Sequence, residues 1–178
     1  MNAYKRLVPF AAACLSTLTF AMAHAAEPGS VLRKIKDIGS ITIGYRESSI
    51  PFSYLDDRAQ PVGYTMELCS HVVDEIKTVL KMPALKVNLQ PVTSGNRIPL
   101  VQNGTIDLEC GSTINNRERQ PLVSFSMTTF VVSQRFIAKK ANNFKTLDDL
   151  KGKVVAVTTG TTTVKNIREL DNARKLNL

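Results

Sequence analysis

The sequence has few residues of the kinds that bind metals: two histidines and three cysteines among 178 residues. His71 stands alone on a predicted helix, and no group of Cys, His, Asp and Glu has the spacing of a metal site. The sequence therefore argues against a metal centre. We predict neither a metal nor a cofactor.

The sequence also lacks a clustered Lys/Arg stripe interleaved with aromatic residues, although its formal net charge is +8. Such stripes are typical of nucleic-acid-binding surfaces. A diffuse positive charge instead favours solubility and the attraction of small anions. We therefore predict no nucleic-acid partner.

The N-terminus has the pattern of a secretory signal. Lys5 and Arg6 precede an apolar run over 7–23, and small residues, Ala23 and Ala25, stand where a signal peptidase recognises them. We predict a signal peptide over 1–25, and its removal takes away two positive charges and lowers the net charge to +6. A permanent membrane helix is disfavoured because Ser, Thr and Pro interrupt the run. A lipoprotein cleavage site at Cys14 is the other alternative. It is disfavoured because the apolar run continues well past this cysteine.

Two cysteines, Cys69 and Cys110, follow the predicted signal, and an oxidising compartment permits a disulfide. Cys69 shares an apolar helical face with Val72, Val73, Ile76 and Leu80. This position favours a buried thiol. The number of cysteines alone does not decide their pairing.

Strand-like and helix-like patterns alternate along the chain. The predicted order is a helix over 30–39 capped by Ser30, a strand from 40, a hairpin around Asp56-Asp57, a helix from Thr65 to Lys81, a strand over 85–92, a short helix within 93–104 and a strand over 105–110. This order predicts an α/β fold with a largely parallel sheet.

A second unit begins late in the sequence. An apolar run over 129–140 leads into a polar connection with a short helix over 141–153. Residues 153–170 then have the pattern of a strand, a glycine-containing turn and a helix. The part of this unit within the sequence is too short to bury both faces of a second sheet.

Four polar clusters follow predicted strands: 46–49, 93–97, 112–119 and 158–163. In open α/β sheets, ligands bind beyond the carboxyl ends of the strands, so we predict that all four face one cleft. Arginine presents a planar fork that matches a carboxylate. Three arginines in one cleft repel one another unless an anion with more than one negative charge joins them, and a dicarboxylate meets that requirement.

Some charged residues in these clusters also have simpler interpretations. We interpret Arg117 as a surface residue, and Glu109 and Glu118 as carboxylates that orient arginines rather than as catalytic acids. Gly160 with Thr161 has neither the glycine pattern of a dinucleotide site nor the Gly-Lys-Ser/Thr of a phosphate loop.

Several stretches together resemble a known family: YRESSIPFSY over 45–54, TSGNRIPLVQNGTIDLECGST over 93–113, NNRERQ over 115–120 and LKGKVVAVTTGTT over 150–162. They resemble the periplasmic glutamate/aspartate-binding proteins of ABC transporters, within the family 3 solute-binding proteins. The resemblance implies a type II periplasmic binding protein fold, in which two α/β lobes close over an amino acid. It places lobe 1 at 26–135, a crossover at 136–140 and the start of lobe 2 at 141–178.

The resemblance also implies roles for six residues. Arg119 is similar to the arginine that holds the ligand α-carboxylate, with Ser112 and Thr162 as hydroxyl donors. Arg46, Ser94 and Arg97 are similar to the residues that hold the side-chain carboxylate. The implied function is to bind L-glutamate or L-aspartate in the periplasm, as a monomer, and to deliver it to a membrane permease, without enzymatic activity.

Two departures from the family pattern are expected to matter. Ile114 stands where close relatives carry a threonine, which removes one hydroxyl donor. The family chain normally continues well beyond 178, so the resemblance implies a C-terminally truncated second lobe and a Cys110 without its usual partner. The alternatives are a non-functional fragment of such a receptor and an enzyme on the same scaffold, such as a periplasmic dehydratase.

Overall fold

A computed structural model describes residues 28–178. The predicted signal over 1–25, its cleavage after Ala25 and the alternative site at Cys14 lie outside the described residues. Within 28–178, no helix has both the length and the apolar character that crossing a membrane requires.

The first part of the chain alternates strands and helices, as predicted. Its main elements are α1 (Pro28–Ile38), β1 (Ser40–Tyr45), α2 (Tyr64–Leu80), β5 (Lys86–Pro91), α3 (Arg97–Gln102) and β6 (Leu108–Cys110). Three short strands lie between β1 and α2: β2 (Ser48–Ser49), β3 (Ser53–Leu55) and β4 (Pro61–Val62). Helix α2 agrees with its predicted bounds to within one residue at each end. Helix α1 begins two residues before Ser30, so the predicted cap lies inside the helix.

The main sheet is parallel, and its strand order is β5-β1-β6. Tyr45, at the end of β1, lies opposite Pro91 in β5 and Cys110 in β6. The carboxyl ends of all three strands therefore meet at one edge of the sheet. This arrangement confirms the predicted α/β fold and places the segments after the three strands side by side.

The core lies between the sheet and helices α1 and α2. In β1, Ile41 and Ile43 point into it, and they pack with Ile35 of α1 and Val73 of α2. This alternation is the period-two pattern that the sequence predicts for a strand covered on that face. Each of these side chains removes enough apolar surface from water to contribute about 1.5 to 3 kcal/mol to folding.

A small antiparallel sheet follows β1. It consists of β2 (Ser48–Ser49), β3 (Ser53–Leu55) and β4 (Pro61–Val62). Its turn is closed by Asp56, whose Oδ1 accepts hydrogen bonds from the backbone N–H groups of Arg58 and Gln60. The predicted hairpin around Asp56-Asp57 is confirmed.

The expectation of a free thiol at Cys69 is wrong, because Cys69 and Cys110 form a disulfide. Both residues are buried, as predicted for Cys69. The buried face of α2 lies over the sheet so that Cys69 comes within bonding distance of the last residue of β6. Cys110 is therefore paired within the described residues. For a Cys110 without its usual partner, a free thiol or a link with Cys69 is expected, and the structure shows the link.

The later part of the chain has two short 3₁₀ helices, Lys140–Asn142 and Leu147–Leu150, and one α-helix, α4 (Thr162–Arg174). The turn and helix predicted after 159 are therefore confirmed. The strand predicted over 153–159 is not formed, because no strand of the described chain supplies the neighbouring backbone that a ladder requires. The side chains of Ile137 and Val154 are almost fully exposed.

Candidate functional site

The candidate site lies at the edge of the sheet where β1, β5 and β6 end. Arg46 directly follows β1, Ser94 follows β5 and Ser112 follows β6. The parallel register of the strands brings these segments together, as the sequence analysis predicts. Arg46 is half-buried and Ser94 is buried, whereas Ser112 is exposed.

The turn that carries Ser94 is closed by its own side chains. The backbone N–H of Thr93 donates to Oδ1 of Asn96 at 2.8 Å, and the backbone N–H of Asn96 donates to Oγ1 of Thr93 at 3.2 Å. These two hydrogen bonds close the turn directly before α3, whose first residue is Arg97. The local sequence Thr-Ser-Gly-Asn therefore sets the position of the Arg97 backbone.

Arg97 is a buried charge with one carboxylate close by. The residue is only 3% exposed, and its Nη1 lies 3.9 Å from Oε1 of Glu109 in β6. That distance is too long for a hydrogen bond. Nε and Nη1 of Arg97, Oε1 of Glu109 and Oγ1 of Thr113 are buried without a hydrogen-bond partner in the part of the chain that the structure describes. Unpaired buried donors of this kind are suited to an anionic ligand.

Arg46 approaches the same carboxylate from the end of β1. Its backbone N–H donates to Oγ of the buried Ser53 at 2.9 Å, and the Ser53 hydroxyl donates back to the Arg46 carbonyl oxygen at 3.2 Å. A β-carbon on Gly111 would overlap Oε1 of Glu109 and would lie 2.9 Å from Cγ of Arg46. Glycine at 111 therefore allows the side chains of Arg46 and Glu109 to approach each other.

Arg119 joins two segments that are distant in sequence. Its backbone N–H donates to Oδ1 of Asn116 at 3.0 Å, which fixes the loop after β6. Its Nη1 donates to the Ile114 carbonyl oxygen at 2.9 Å, and its Nη2 lies 3.5 Å from the Gly160 carbonyl oxygen. The half-buried guanidinium thus connects the first part of the chain with the turn before α4.

The turn before α4 also packs directly against the Ser94 segment. Gly160 has a φ of +71°, and a β-carbon on it would lie 2.7 Å from the backbone nitrogen and the α-carbon of Gly95. Thr162, two residues later, begins α4. The glycine pattern at 160 therefore serves close backbone contact and not a phosphate loop.

Side-chain contacts reinforce this junction. Lys165 of α4 forms an ion pair with Glu118. The amide of Gln134 donates to Oγ1 of Thr163 at 3.0 Å and accepts from Asn166 at 2.9 Å. Glu118 therefore pairs with a lysine, and the prediction that it orients an arginine is wrong, because α4 brings Lys165 closer to it. Arg117 is exposed, as predicted.

The electrostatics of the site are set by burial and by the arginines. The pKa of Arg97 is lowered to about 10, mainly by burial and also by the guanidinium groups of Arg119 and Arg46, while Glu109 acts in the opposite direction. Burial raises the pKa of the Glu109 carboxyl, although the Thr113 hydroxyl and the same three arginines oppose this shift. Arg97 therefore stays positively charged at neutral pH.

Two cavities adjoin this arrangement. One of about 660 Å³ lies between the loop after β6 and α4, and its lining includes Ile114, Glu118, Thr162 and Lys165. The other, of about 190 Å³, is lined by residues that include Arg97, Glu109 and Thr113. Ile114 is partly exposed and, in place of a hydroxyl, presents an aliphatic side chain to the larger cavity.

The structure brings most of the six predicted residues together. Arg46 and Arg97 lie beside Glu109, Arg119 contacts the Gly160 turn, and that turn contacts Ser94 and leads into Thr162. The structure records no hydrogen bond of the Ser112 side chain within 28–178. The role of Gly111 was not predicted from the sequence. A glycine next to a charged or hydroxyl residue at a strand end is the signal that could have indicated such close approach.

The described residues hold no group of three or more His, Cys, Asp or Glu side chains arranged to bind a metal. The charged donors that lie close together are the guanidinium groups of Arg46, Arg97 and Arg119. Planar guanidinium forks of this kind are suited to carboxylates.

Residues 41–173 match the family model of the bacterial extracellular solute-binding proteins, family 3. The chain is 47% identical over 165 residues to a glutamate/aspartate import solute-binding protein of Salmonella typhimurium, covering 90% of this chain and 55% of that protein. It is also 47% identical over 167 residues to an L-glutamate/L-aspartate-binding protein of Pseudomonas aeruginosa, covering 93% of this chain and 55% of the relative. The chain thus spans about half the length of these curated relatives.

Among solved structures, the crystal structure of the ancestral amino acid-binding protein AncCDT-1, a precursor of cyclohexadienyl dehydratase, matches with a TM-score of 0.68 and 30% identity. The match covers 79% of this chain and 60% of that one. It supports the periplasmic binding protein fold of type II, and the close relatives are named as transport binding proteins rather than enzymes. The family match and the sequence identity lead to one conclusion: this chain belongs to the bacterial extracellular solute-binding proteins, family 3.

Proposed function

We propose that this chain is the substrate-binding component of an amino-acid ABC transporter, and that it binds L-glutamate or L-aspartate. The observation that carries the proposal is the convergence of Arg46, Arg97 and Arg119 at one edge of the sheet, with buried donors of Arg97 unpaired within the described residues. Two carboxylates of one ligand can neutralise two of these positive charges. The names of two relatives at 47% identity support the same ligand class.

In this proposal, six side chains form the ligand site. Arg119, Ser112 and Thr162 hold the α-carboxylate. Arg46, Ser94 and Arg97 hold the side-chain carboxylate. The burial of Arg97 strengthens its interaction with an anion, because water screens a buried charge less than an exposed one.

The proposal extends to organisation and location. Residues 1–25 act as an export signal, 26–135 form the first lobe, 136–140 cross over, and 141–178 begin the second lobe. The protein works as a monomer in the periplasm and presents its ligand to a permease in the inner membrane. The contacts of Gly160 with Gly95 and of Lys165 with Glu118 support a second segment that closes against the first lobe.

Calorimetric titration of the exported chain tests this function. L-Glutamate or L-aspartate should bind, L-glutamine should bind more weakly, and L-arginine should not bind. Arg97→Ala should weaken L-glutamate binding at least about tenfold, because it removes charge-assisted hydrogen bonds. Arg58→Ala is the matched control, since Arg58 is exposed in the hairpin turn, and it should bind like the wild type. Equal affinities of the wild type and Arg97→Ala would contradict the assignment.

A further inference from the structure

The carboxylate of Glu109 lies among the arginines of the proposed site. Its side chain is 12% exposed, and Oε1 lies 3.9 Å from Nη1 of Arg97. A β-carbon on Gly111 would overlap Oε1 and would also lie 2.9 Å from Cγ of Arg46. The carboxylate therefore lies over Gly111, next to both arginine side chains.

Glu109 acts on these arginines through its charge more than through a fixed hydrogen bond. The 3.9 Å separation from Arg97 exceeds hydrogen-bond distance, and Oε1 has no other hydrogen-bond partner among the described residues. A Coulombic interaction persists at this distance, and low exposure strengthens it. A change from glutamate to glutamine keeps the shape of the side chain, removes its charge and replaces one acceptor oxygen with an NH2 donor.

Counting the charges gives Glu109 a specific role. Arg46, Arg97 and Arg119 together carry three positive charges, and an acidic amino acid brings two carboxylates. We propose that Glu109 determines specificity by offsetting one arginine charge, so that the site favours ligands with two anionic charges over ligands with three. This inference rests on the proposed function, because it concerns the same ligand site.

A comparison of two ligands tests the inference directly. L-Glutamate has a singly charged side chain, whereas the phosphate of O-phospho-L-serine is largely doubly charged at pH 7.5, since its second pKa is about 6. In Glu109→Gln, the affinity for O-phospho-L-serine relative to L-glutamate should rise on the order of tenfold, because the variant no longer repels the additional charge. Affinities are measured by calorimetry on the exported chain in low-salt buffer.

The matched control is Glu75→Gln, which removes the same net charge from the exposed face of α2. It should leave the ratio of the two affinities unchanged, and an equal rise in both variants would overturn the inference. Thermal melts establish whether Glu109→Gln folds.

A second measurement uses the wild type alone. L-Cysteate keeps its sulfonate and carboxylate ionised between pH 4 and 7, so its own anionic charge is constant in this range. Arg97 of α3, Arg46 after β1 and Arg119 after β6 face Glu109. Arginine side chains in general do not lose their charge in this pH range. Affinity for L-cysteate should therefore increase as pH falls and Glu109 becomes neutral.

The possible outcomes separate the inference from the function on which it rests. If the wild type binds L-glutamate, but the ligand ratio is unchanged in Glu109→Gln or the L-cysteate profile is flat, the inference fails and the proposed function stands. If the wild type binds none of these ligands, the proposed function fails and the inference fails with it. The inference is supported if the ratio of the two affinities rises in Glu109→Gln but not in Glu75→Gln, and if the L-cysteate affinity of the wild type rises as pH falls. If Glu109→Gln does not fold, the L-cysteate profile decides.

Discussion

The α-carbon of Gly95 lies 2.7 Å from the point that a β-carbon on Gly160 would occupy. The first glycine follows β5 and the second precedes α4, so their contact brings together two segments separated by 65 positions. A β-carbon on Gly160 would overlap the backbone of the Ser94 segment, whereas one on Gly95 would meet only Oγ1 of Thr93, at 3.8 Å. The approach of the Thr162 segment to the Ser94 segment therefore depends on glycine at 160.

Gly160→Ala should separate the two segments. The new methyl group overlaps the backbone of Gly95, and the φ of +71° disfavours any residue with a β-carbon. We expect a loss of roughly 1 to 3 kcal/mol in the free energy of unfolding, together with weaker binding of the proposed ligand, L-glutamate. Urea denaturation and calorimetry measure the two effects.

Gly152→Ala is the matched control for this substitution. Gly152 has a similar φ of +68°, but a β-carbon there would meet no atom within 4 Å. It therefore has the backbone cost, about 1 kcal/mol, without the overlap. Equal losses in the two variants would show that the contact with Gly95 contributes nothing.

Glu109 should give stability an unusual dependence on pH. Burial raises the pKa of its carboxyl above the ordinary value of 4.5, so the folded chain binds this proton more tightly than the unfolded chain. Its contribution to stability is fully present below pH 4.5 and is lost as pH rises through the folded-state pKa. The stability of Glu109→Gln relative to the wild type should therefore increase as pH rises from 4.5.

Asp149→Asn should change the pH dependence of stability in the opposite direction. Backbone hydrogen bonds from Thr146 and Lys145 lower the pKa of the exposed Asp149 carboxyl below 3.8. Its contribution is present above that value and is lost as pH falls through the lowered pKa, so Asp149→Asn should become less stable relative to the wild type as pH rises. Urea denaturation between pH 3 and 7 measures both series. Parallel curves for the wild type and Glu109→Gln would contradict the assigned shift.

The disulfide should contribute substantially to stability. Cys69 and Cys110 are 41 positions apart, and closing a loop of this length stabilises the folded chain by about 3 to 4 kcal/mol in the chain-entropy account. The double variant Cys69→Ala, Cys110→Ala should lose about that amount in urea denaturation. Mass spectrometry of unreduced peptides should find residues 69 and 110 linked, and free thiols at both positions would contradict the pairing.

The limits of sequence reasoning are clear from individual residues. The apolar periodicity of α2 predicted that Cys69 is buried, but it could not identify Cys110 as its partner. That pairing depends on how α2 lies across the sheet, which is a tertiary property. The β-branched residues of 153–159 favour a strand. A strand also needs another strand to pair with, and the residue types of a segment do not show whether such a partner is present.

The candidate site, too, was predicted only in part from the sequence. The alternation of strands and helices, with the rule that ligands bind at strand ends, predicted from the sequence that Arg46, Ser94 and Arg97 lie in one cleft. The sequence did not predict that Glu118 pairs with Lys165, because this contact depends on how α4 lies against the loop after β6. It also gave no indication that the side chain of Ser112 is exposed while that of Ser94 is buried.

Residues 109–111, at the end of β6, limit the substitutions that this protein can accept during evolution. Glu109 supplies the site carboxylate, Cys110 supplies a cross-link to α2, and Gly111 supplies space for Arg46. Three consecutive positions thus meet three unrelated requirements. Random substitutions should therefore be tolerated less in this tripeptide than at the exposed Ile114 that follows it.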